Sequence, residues 1–492
     1  MRALFIILFL SLPGLALVAA ASSTVNRQDD TLRLSLSEAV ARAKANSIAA
    51  KQAITQKETK YWEWRTFRSN YQPQLALSGI LPGYNKTYAQ VLQPNGTILF
   101  QPIRNDNSSL TLDFTQSIAA TGGTIFGTTE LQRFSDFDRK TVLYNGTPYG
   151  IGYTQPLLQF NRLKWDKKIE PLKYRESQQA YIESQEEISM QVAEYFFDLL
   201  LAQENLRLAE SNFANTEKIL SIANTKFELG KIARNEILQL QLERLNAQKA
   251  VGTANRDVEI ATLNLRTYVG IEEGDRLSAI MPGLVGDISI PTEKVLAEAY
   301  ENRSDAIAFA RRLAEAKRDV AKAKGENGLN ATLNANLGYS NAGNRVFDVY
   351  RSPKSQQSVV LQLSIPVLDW GRSRSRAKTA LANEQLVVYE VEQARLNFKQ
   401  EIITQVTLFD MMKEQMTLTA HAAEIALEKY QIASERYVLG NLSITDLSIA
   451  FQENDRAKRD YIAALRNFWG AYYQLRYLSL YDFEKNEKIR YD

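Results

Sequence analysis

The sequence predicts a mainly helical chain with a small β part, in which long coiled-coil hairpins occur twice and short alternating strands have the pattern of transmembrane β-strands. Three observations carry this. A block opening at Pro156 returns at Pro366 with a constant offset of 210 residues. Its apolar residues recur every 3.5 residues, and the stretches in front of it alternate with period two.

The duplication is legible residue by residue. QPLLQFNR in the first copy lies over IPVLDWGR in the second, so Pro156, Leu158 and Arg162 match Pro366, Leu368 and Arg372. Farther on, Glu204, Leu229, Gly230 and Arg266 recur as Glu414, Leu439, Gly440 and Arg476. Inside the first copy Ile188, Val192, Tyr195, Leu199, Ala202 and Leu206 step by alternating fours and threes, and the pattern continues to Phe227, which is a coiled-coil seam. The second copy keeps it more loosely, from Phe398 to Tyr437, with Gln405 and Thr419 as polar interruptions. A first long helix over 172–229 would extend roughly 85 to 90 Å at 1.5 Å per residue. LGK and LGN then place Gly230 and Gly440 just past a helix end, where glycine supplies the left-handed stop.

Composition excludes several classes of function. The chain has 492 residues with 59 basic against 56 acidic side chains, a net charge of +3, so no nucleic-acid partner is implied. There is no cysteine and one histidine, His421, in a helical run. Disulfides, thiolate chemistry and cysteine metal sites are excluded, and no catalytic, cofactor or metal site is expected. The GIG at Gly150 is not followed by a helix and is no dinucleotide loop. Glu186 and Glu187 are expected as solvated acids on the coiled-coil surface.

Residues 1–21 read as a signal peptide: Arg2, an apolar run to Leu12, a Pro13-Gly14 break, and small residues offering cleavage after Ala20 or Ala21. Beyond it no stretch of about 20 apolar residues occurs, so any membrane crossing must be made by strands.

The rest divides into a first repeat over 33–270, a linker over 271–291, a second repeat over 292–480 and a tail over 481–492. Ser35 and Glu38 form a capping-box pattern at the first short helix; a second helix covers about 48–70, and QLALSGIL alternates like a strand. The same order returns as helices near 293–301 and 306–325, then NATLNANLGY and SVVLQLSIPV. Leu333, Ala335, Leu337 and Tyr339 point one way and Thr332, Asn334, Asn336 and Gly338 the other, the pattern of a strand with lipid on its apolar face and water on its small polar face; the alternative for the strands alone is an amphipathic sheet on a soluble core. The offset between the halves is 257 before the strands and 210 after them, so some 47 residues are extra in the first half. They fall within 85–147 and contain LTLDFTQSIA, a TGG turn and TIFGTTELQRF, an added hairpin that either enlarges a barrel or stands above it. Tyr84, Tyr88, Tyr144, Tyr149, Tyr153, Tyr339 and Tyr350 cluster near the strand ends, as an interfacial girdle would, with packing in a lumen or loop the alternative for any single one. Four to six strands cannot close around a pore, and open edges are not tolerated in lipid, so the chain must assemble; a ring of three gives twelve or more strands.

The duplicated order, the LSLSEAVARAKANS opening, the proline-to-arginine motif ahead of each long helix and the tips KFELGKIARNEIL and RYVLGNLSITDL together resemble the TolC-type outer-membrane efflux factor family. The resemblance implies a homotrimer with one shared β-barrel in the bacterial outer membrane and a helical tunnel in the periplasm. It further implies partners: a periplasmic adaptor (membrane fusion protein), an inner-membrane pump of RND, ABC or MFS type, and outer-membrane lipid. Adaptor docking then falls on Leu229, Gly230 and Lys231 and on Leu439, Gly440, Asn441, Leu442 and Ser443. A carboxylate narrowing of the periplasmic entrance falls on Asp446, with Glu236 in the duplicate place. Leu442 stands where an arginine can help latch that entrance and Ile449 where a second acid would stand, so a weaker gate held by Asn235, Ser443 and Thr445 is expected. The rival reading is a periplasmic adaptor or structural coiled-coil protein without a pore, which would show one hairpin rather than two.

Overall fold

The computed structural model describes residues 31–230, 232–271, 276–282, 289–439 and 441–491. The proposed signal peptide, Lys231 and Gly440 lie outside the described residues. The chain opens with β1 (Thr31–Leu34), α1 (Leu36–Asn46) and α2 (Ile48–Ser69). The Ser35 side chain accepts from the Glu38 amide at 3.3 Å while Glu38 accepts from the Ser35 amide at 3.0 Å, which is the capping box the sequence announces. Five strands follow: β2 (Gln74–Ile80), β3 (Tyr84–Leu92), β4 (Ile98–Ile118), β5 (Gly123–Asp136) and β6 (Thr141–Leu157). The first hairpin is α3 (Arg162–Glu228) and α4 (Arg234–Val269). β7 (Arg276–Ala279), α5 (Thr292–Asn302) and α6 (Ser304–Glu326) lead to β8 (Asn330–Gly343), the short α7 (Val346–Tyr350) and β9 (Lys354–Ser364). The second hairpin is α8 (Arg372–Val438) and α9 (Ile444–Ser479), and β10 (Tyr481–Asp482) with β11 (Glu487–Lys488) closes the chain.

The repeat is reproduced to the residue, since α8 and α9 have the bounds of α3 and α4 shifted by 210. α3 starts about ten residues earlier than the sequence reading placed it and carries Pro171 inside. Asn161 explains the early start: its side chain accepts from the Lys164 amide at 3.0 Å and caps the helix upstream of the proline. At 67 residues α3 is about 100 Å long.

The seam is buried most completely at mid-height, where Ile188, Val192 and Leu199 are enclosed together with Phe196 and Phe197 outside the seam. There the short helices α1, α5 and α6 wrap the long ones, and Phe409, Phe468 and Tyr472 complete the core from the second repeat. In α8 Val406 takes the buried place beside Gln405, and Thr419 returns its hydroxyl to the Gln415 carbonyl at 2.9 Å. Toward the turn burial thins out to single small residues such as Ala223, and Phe227 is exposed. β1 and β7 pair in parallel across the middle, an element too short to show in the sequence.

This core also corrects the expectation for Glu186. Glu187 is exposed, but Glu186 is completely buried, accepting from Lys44 at 2.9 Å and Arg476 at 3.0 Å and also from the Tyr491 hydroxyl. A surface seam was assumed for a helix that α1, α9 and the tail in fact enclose.

Seven strands form one antiparallel sheet in the order β2-β4-β5-β6-β8-β9, with β3 on the far half of β4. Among the described residues the sheet does not close on itself, and β2 and β9 are its edges. The extra segment divides in two. β3 and the start of β4 form a two-stranded ribbon, whereas the rest of β4 and β5 sit in the sheet between β2 and β6. Leu75, Phe114, Gly127, Ile151, Leu337 and Gln357 share one row on one face; Ala76, Asp113, Thr128, Gly150, Gly338 and Gln356 share a row on the other. Tyr149 and Tyr339 are direct partners on the apolar face, both exposed. Among the described residues no helix is long and apolar enough to cross a membrane.

Candidate functional site at the hairpin tips

The two hairpin turns occupy equivalent positions but are built differently. In the first, the Leu229 amide donates to the Thr225 carbonyl at 3.2 Å and Gly230 to Phe227 at 2.8 Å. Gly230 has φ of +69°, and a Cβ placed there would meet nothing within 4 Å, so the backbone conformation alone asks for glycine. α4 then starts behind Ala233 without a side-chain cap. In the second, the Asn441 amide reaches back to the Arg436 carbonyl at 2.9 Å, and Ser443 caps α9 by accepting from the Asp446 amide at 3.2 Å. The Ser443 hydroxyl donates in turn to the Asp446 carboxylate at 2.7 Å.

Leu229 and Leu439, related by the repeat, are 65% and 74% exposed, so each tip presents one bare leucine. Leu442 is half-buried, whereas Asn441, Ser443, Thr445 and Asp446 are exposed, as are Asn235 and Glu236. Glu236 and Asp446 lie in the first turns of the two return helices, where the helix dipole favours a negative charge. Ser443 and Asp446 are the pair of sequence-proposed residues that the fold brings into contact. Among the described residues the side chains of Asn235 and Thr445 make no hydrogen bond to the other hairpin.

Sequence reasoning missed what joins the hairpins above the tips. Asn215 on α3 donates to the Tyr430 hydroxyl on α8 at 3.4 Å, and Tyr430 meets Phe451 of α9 edge to face at 5.5 Å. These residues, with Ile219, Leu240 and Leu447, line a cleft of about 530 Å³ between the four helices. Higher up, Arg466 of α9 holds Asp198 and Glu194 of α3 at 2.9 and 3.4 Å. Tyr430 was visible as a seam position; Asn215 and Phe451 carried no signal, because they answer to the neighbouring hairpin. Between these two contacts Asp455 is buried, one carboxylate oxygen lacking a hydrogen-bond partner. Burial pushes its carboxyl up to about 6 despite Arg459, Lys458 and Arg207 nearby. The arrangement offers two protruding apolar contacts and two carboxylates at the end of a paired helical stalk, features suited to docking and to ion selection.

The family model for "Outer membrane efflux protein" matches residues 133–271 and 295–479, more than half of the chain. The pyoverdine export outer membrane protein OpmQ of Pseudomonas aeruginosa is 22% identical over 254 residues. That match covers 51% of this chain and 52% of the relative, so it spans about half the relative's length. Among solved structures, the Campylobacter jejuni CmeC outer membrane channel aligns with a TM-score of 0.65 at 14% identity, covering 93% of this chain and 87% of that one. The outer membrane protein VceC of Vibrio cholerae aligns at 0.63 and 15% identity over 92% and 97%. At these identities the structures speak for the fold.

Proposed function

Since the chain belongs to the outer membrane efflux protein family, we propose that it is the passive exit duct of a tripartite export system, three copies joining in the outer membrane. One observation carries the reading: a sheet with two open edges and one apolar face stands at the far end of two long hairpins whose turns fall at equivalent positions of the repeat. Unpaired backbone is not tolerated in lipid, so the edges of β2 and β9 need sister chains. The hairpins form the periplasmic tunnel. A periplasmic adaptor grips Leu229 and Leu439, and an RND, ABC or MFS pump in the inner membrane supplies the energy. The three copies of Asp446, with Glu236, ring the entrance and favour cations. The latch is weak: Ser443 spends its hydroxyl on Asp446 of its own chain rather than across the entrance.

Density fractionation of cell envelopes followed by planar-bilayer recording tests this. Expected are recovery with the outer membrane, extraction by detergent as a trimer, and discrete conductance. Recovery as a monomer in the detergent-free soluble periplasmic fraction would overturn it.

A further inference from the structure

We propose that the β4–β5 hairpin is part of the barrel wall, so that three copies close eighteen strands and the duct is half again as wide as the ring that β2, β6, β8 and β9 would form alone. This rests on the three-copy duct proposed above.

The first argument is register. Row by row, β2 pairs with β4 rather than β6, and β4 and β5 continue from Ile118↔Gly123 to Asn105↔Asp136, the height over which β6 pairs with β5. At the lower end the turn between them is tied to the start of α3, Asn161 donating to the Ala119 and Ala120 carbonyls at 3.0 and 3.2 Å. The hairpin is therefore anchored where the wall begins. The second argument is parity. β2 runs up, β4 down, β5 up, β6 down, β8 up and β9 down, so a β9 edge meets the β2 edge of the next copy antiparallel, as a closed barrel requires. The third is exposure. Every residue of the edge strands β2 and β9 is exposed, with Leu75 and Leu77 at 69% and Val359 at 76%, whereas β5 is mostly half-buried. A neighbouring copy at each edge accounts for this.

The hairpin also keeps the two-faced pattern of its neighbours. Leu110, Leu112 and Phe114 continue the apolar face, while Thr111, Asp113 and Glu130 lie on the other. A barrel's width grows with strand number, so at a spacing of about 4.8 Å and a tilt of about 40° eighteen strands span roughly 36 Å between backbones against roughly 24 Å for twelve. The barrel then admits solutes that a twelve-strand ring excludes, and its inner wall carries the carboxylates of Asp113 and Glu130.

Because the chain has no cysteine, single introduced thiols report position unambiguously. Asp113→Cys and Leu112→Cys are prepared as trimers in lipid nanodiscs and exposed to a charged, membrane-impermeant maleimide, and the strands of the unsubstituted trimer are counted by electron cryomicroscopy. Labelling of Asp113→Cys, its loss in Leu112→Cys and eighteen strands are expected. Equal labelling of both positions, or a ring of twelve with the hairpin outside it, would overturn the proposal. Failure of the duct itself would show earlier and differently, as absence of a membrane-embedded trimer. Leu110→Cys repeats the lipid-side measurement if Leu112→Cys does not assemble.

Discussion

Glu186 of the first repeat and Arg476 of the second are bonded at 3.0 Å inside the core. Lys44 of α1 reaches the other oxygen of Glu186 at 2.9 Å, the Tyr491 hydroxyl joins it, and Arg476 also holds Asp482. One fully buried carboxylate thus fastens a short helix, both repeats and the C-terminal tail together.

Substituting Glu186→Gln should lower stability by about 3–5 kcal/mol, because Lys44 loses its counter-charge and Arg476 is left with Asp482 alone. Burial opposes the charged form of Glu186, but Lys44 and Arg476 outweigh it and hold the carboxyl below its ordinary range. A lowered carboxylate pKa contributes stability above the unfolded value near 4.5, lost as pH falls through the folded value. Thermal unfolding against pH should therefore show the variant differing strongly at pH 7 and converging with the parent in strong acid. Hydrogen exchange over 481–491 should rise in the variant at neutral pH.

Asp455 has the opposite sign. Its pKa is raised to about 6 by burial, so the favourable term is complete below the unfolded value of 3.8 and disappears as pH rises through about 6. Asp455→Asn should raise stability at pH 7 by about 1–2 kcal/mol and flatten the melting profile between pH 4 and 6. A variant whose profile keeps the parent's slope would show that Asp455 is not the group titrating there.

At the first tip Gly230→Val should impair export while leaving trimer melting nearly unchanged. The left-handed φ of +69° disfavours a β-branched residue by about 1–2 kcal/mol, but no neighbour is struck, so the damage stays in the turn. Gly230→Asn tolerates that conformation and should retain export. Cell survival against an exported toxic solute reads both, and normal export by Gly230→Val would remove this turn from the adaptor contact.

Much of the fold could be read from the chain because local chemistry announces it: the Ser35 and Glu38 cap, the 3.5-residue seam, the alternation in NATLNANLGY. The burial of Glu186 could not, since a charge on a helix looks solvated until the helices that enclose it are known. The place of β4 and β5 was hidden for a related reason. Period-two alternation is the same for a strand inside the wall or above it, and only the partners of Phe114 and Gly127 distinguish them. At the tips, Gly230 was legible from the turn it must make, whereas the Asn215–Tyr430 contact belongs to a surface the first hairpin cannot reveal by itself.

Asp446→Ala should reduce cation preference in planar-bilayer recordings made across a salt gradient. Asp446 is exposed in the first turn of α9, and among the described residues its carboxylate is held by the Ser443 hydroxyl at 2.7 Å rather than by a cation, so its charge is left to act on passing ions if the tip lines the duct as proposed. The fold should tolerate the change: the Ser443 oxygen still accepts from the backbone amide of residue 446, and loss of a helix N-terminal charge costs about 0.3–1 kcal/mol. In the proposed trimer three copies would make the effect visible, because a ring of like charges at a constriction sets the local ion ratio. Glu236→Ala should add to it, the duplicate carboxylate standing at the same place on the first hairpin. Asp113 and Glu130 sit in the sheet at the opposite end, so their removal should change selectivity without affecting adaptor-dependent opening. An unchanged reversal potential in the Asp446→Ala, Glu236→Ala double variant would place both acids outside the conduction path.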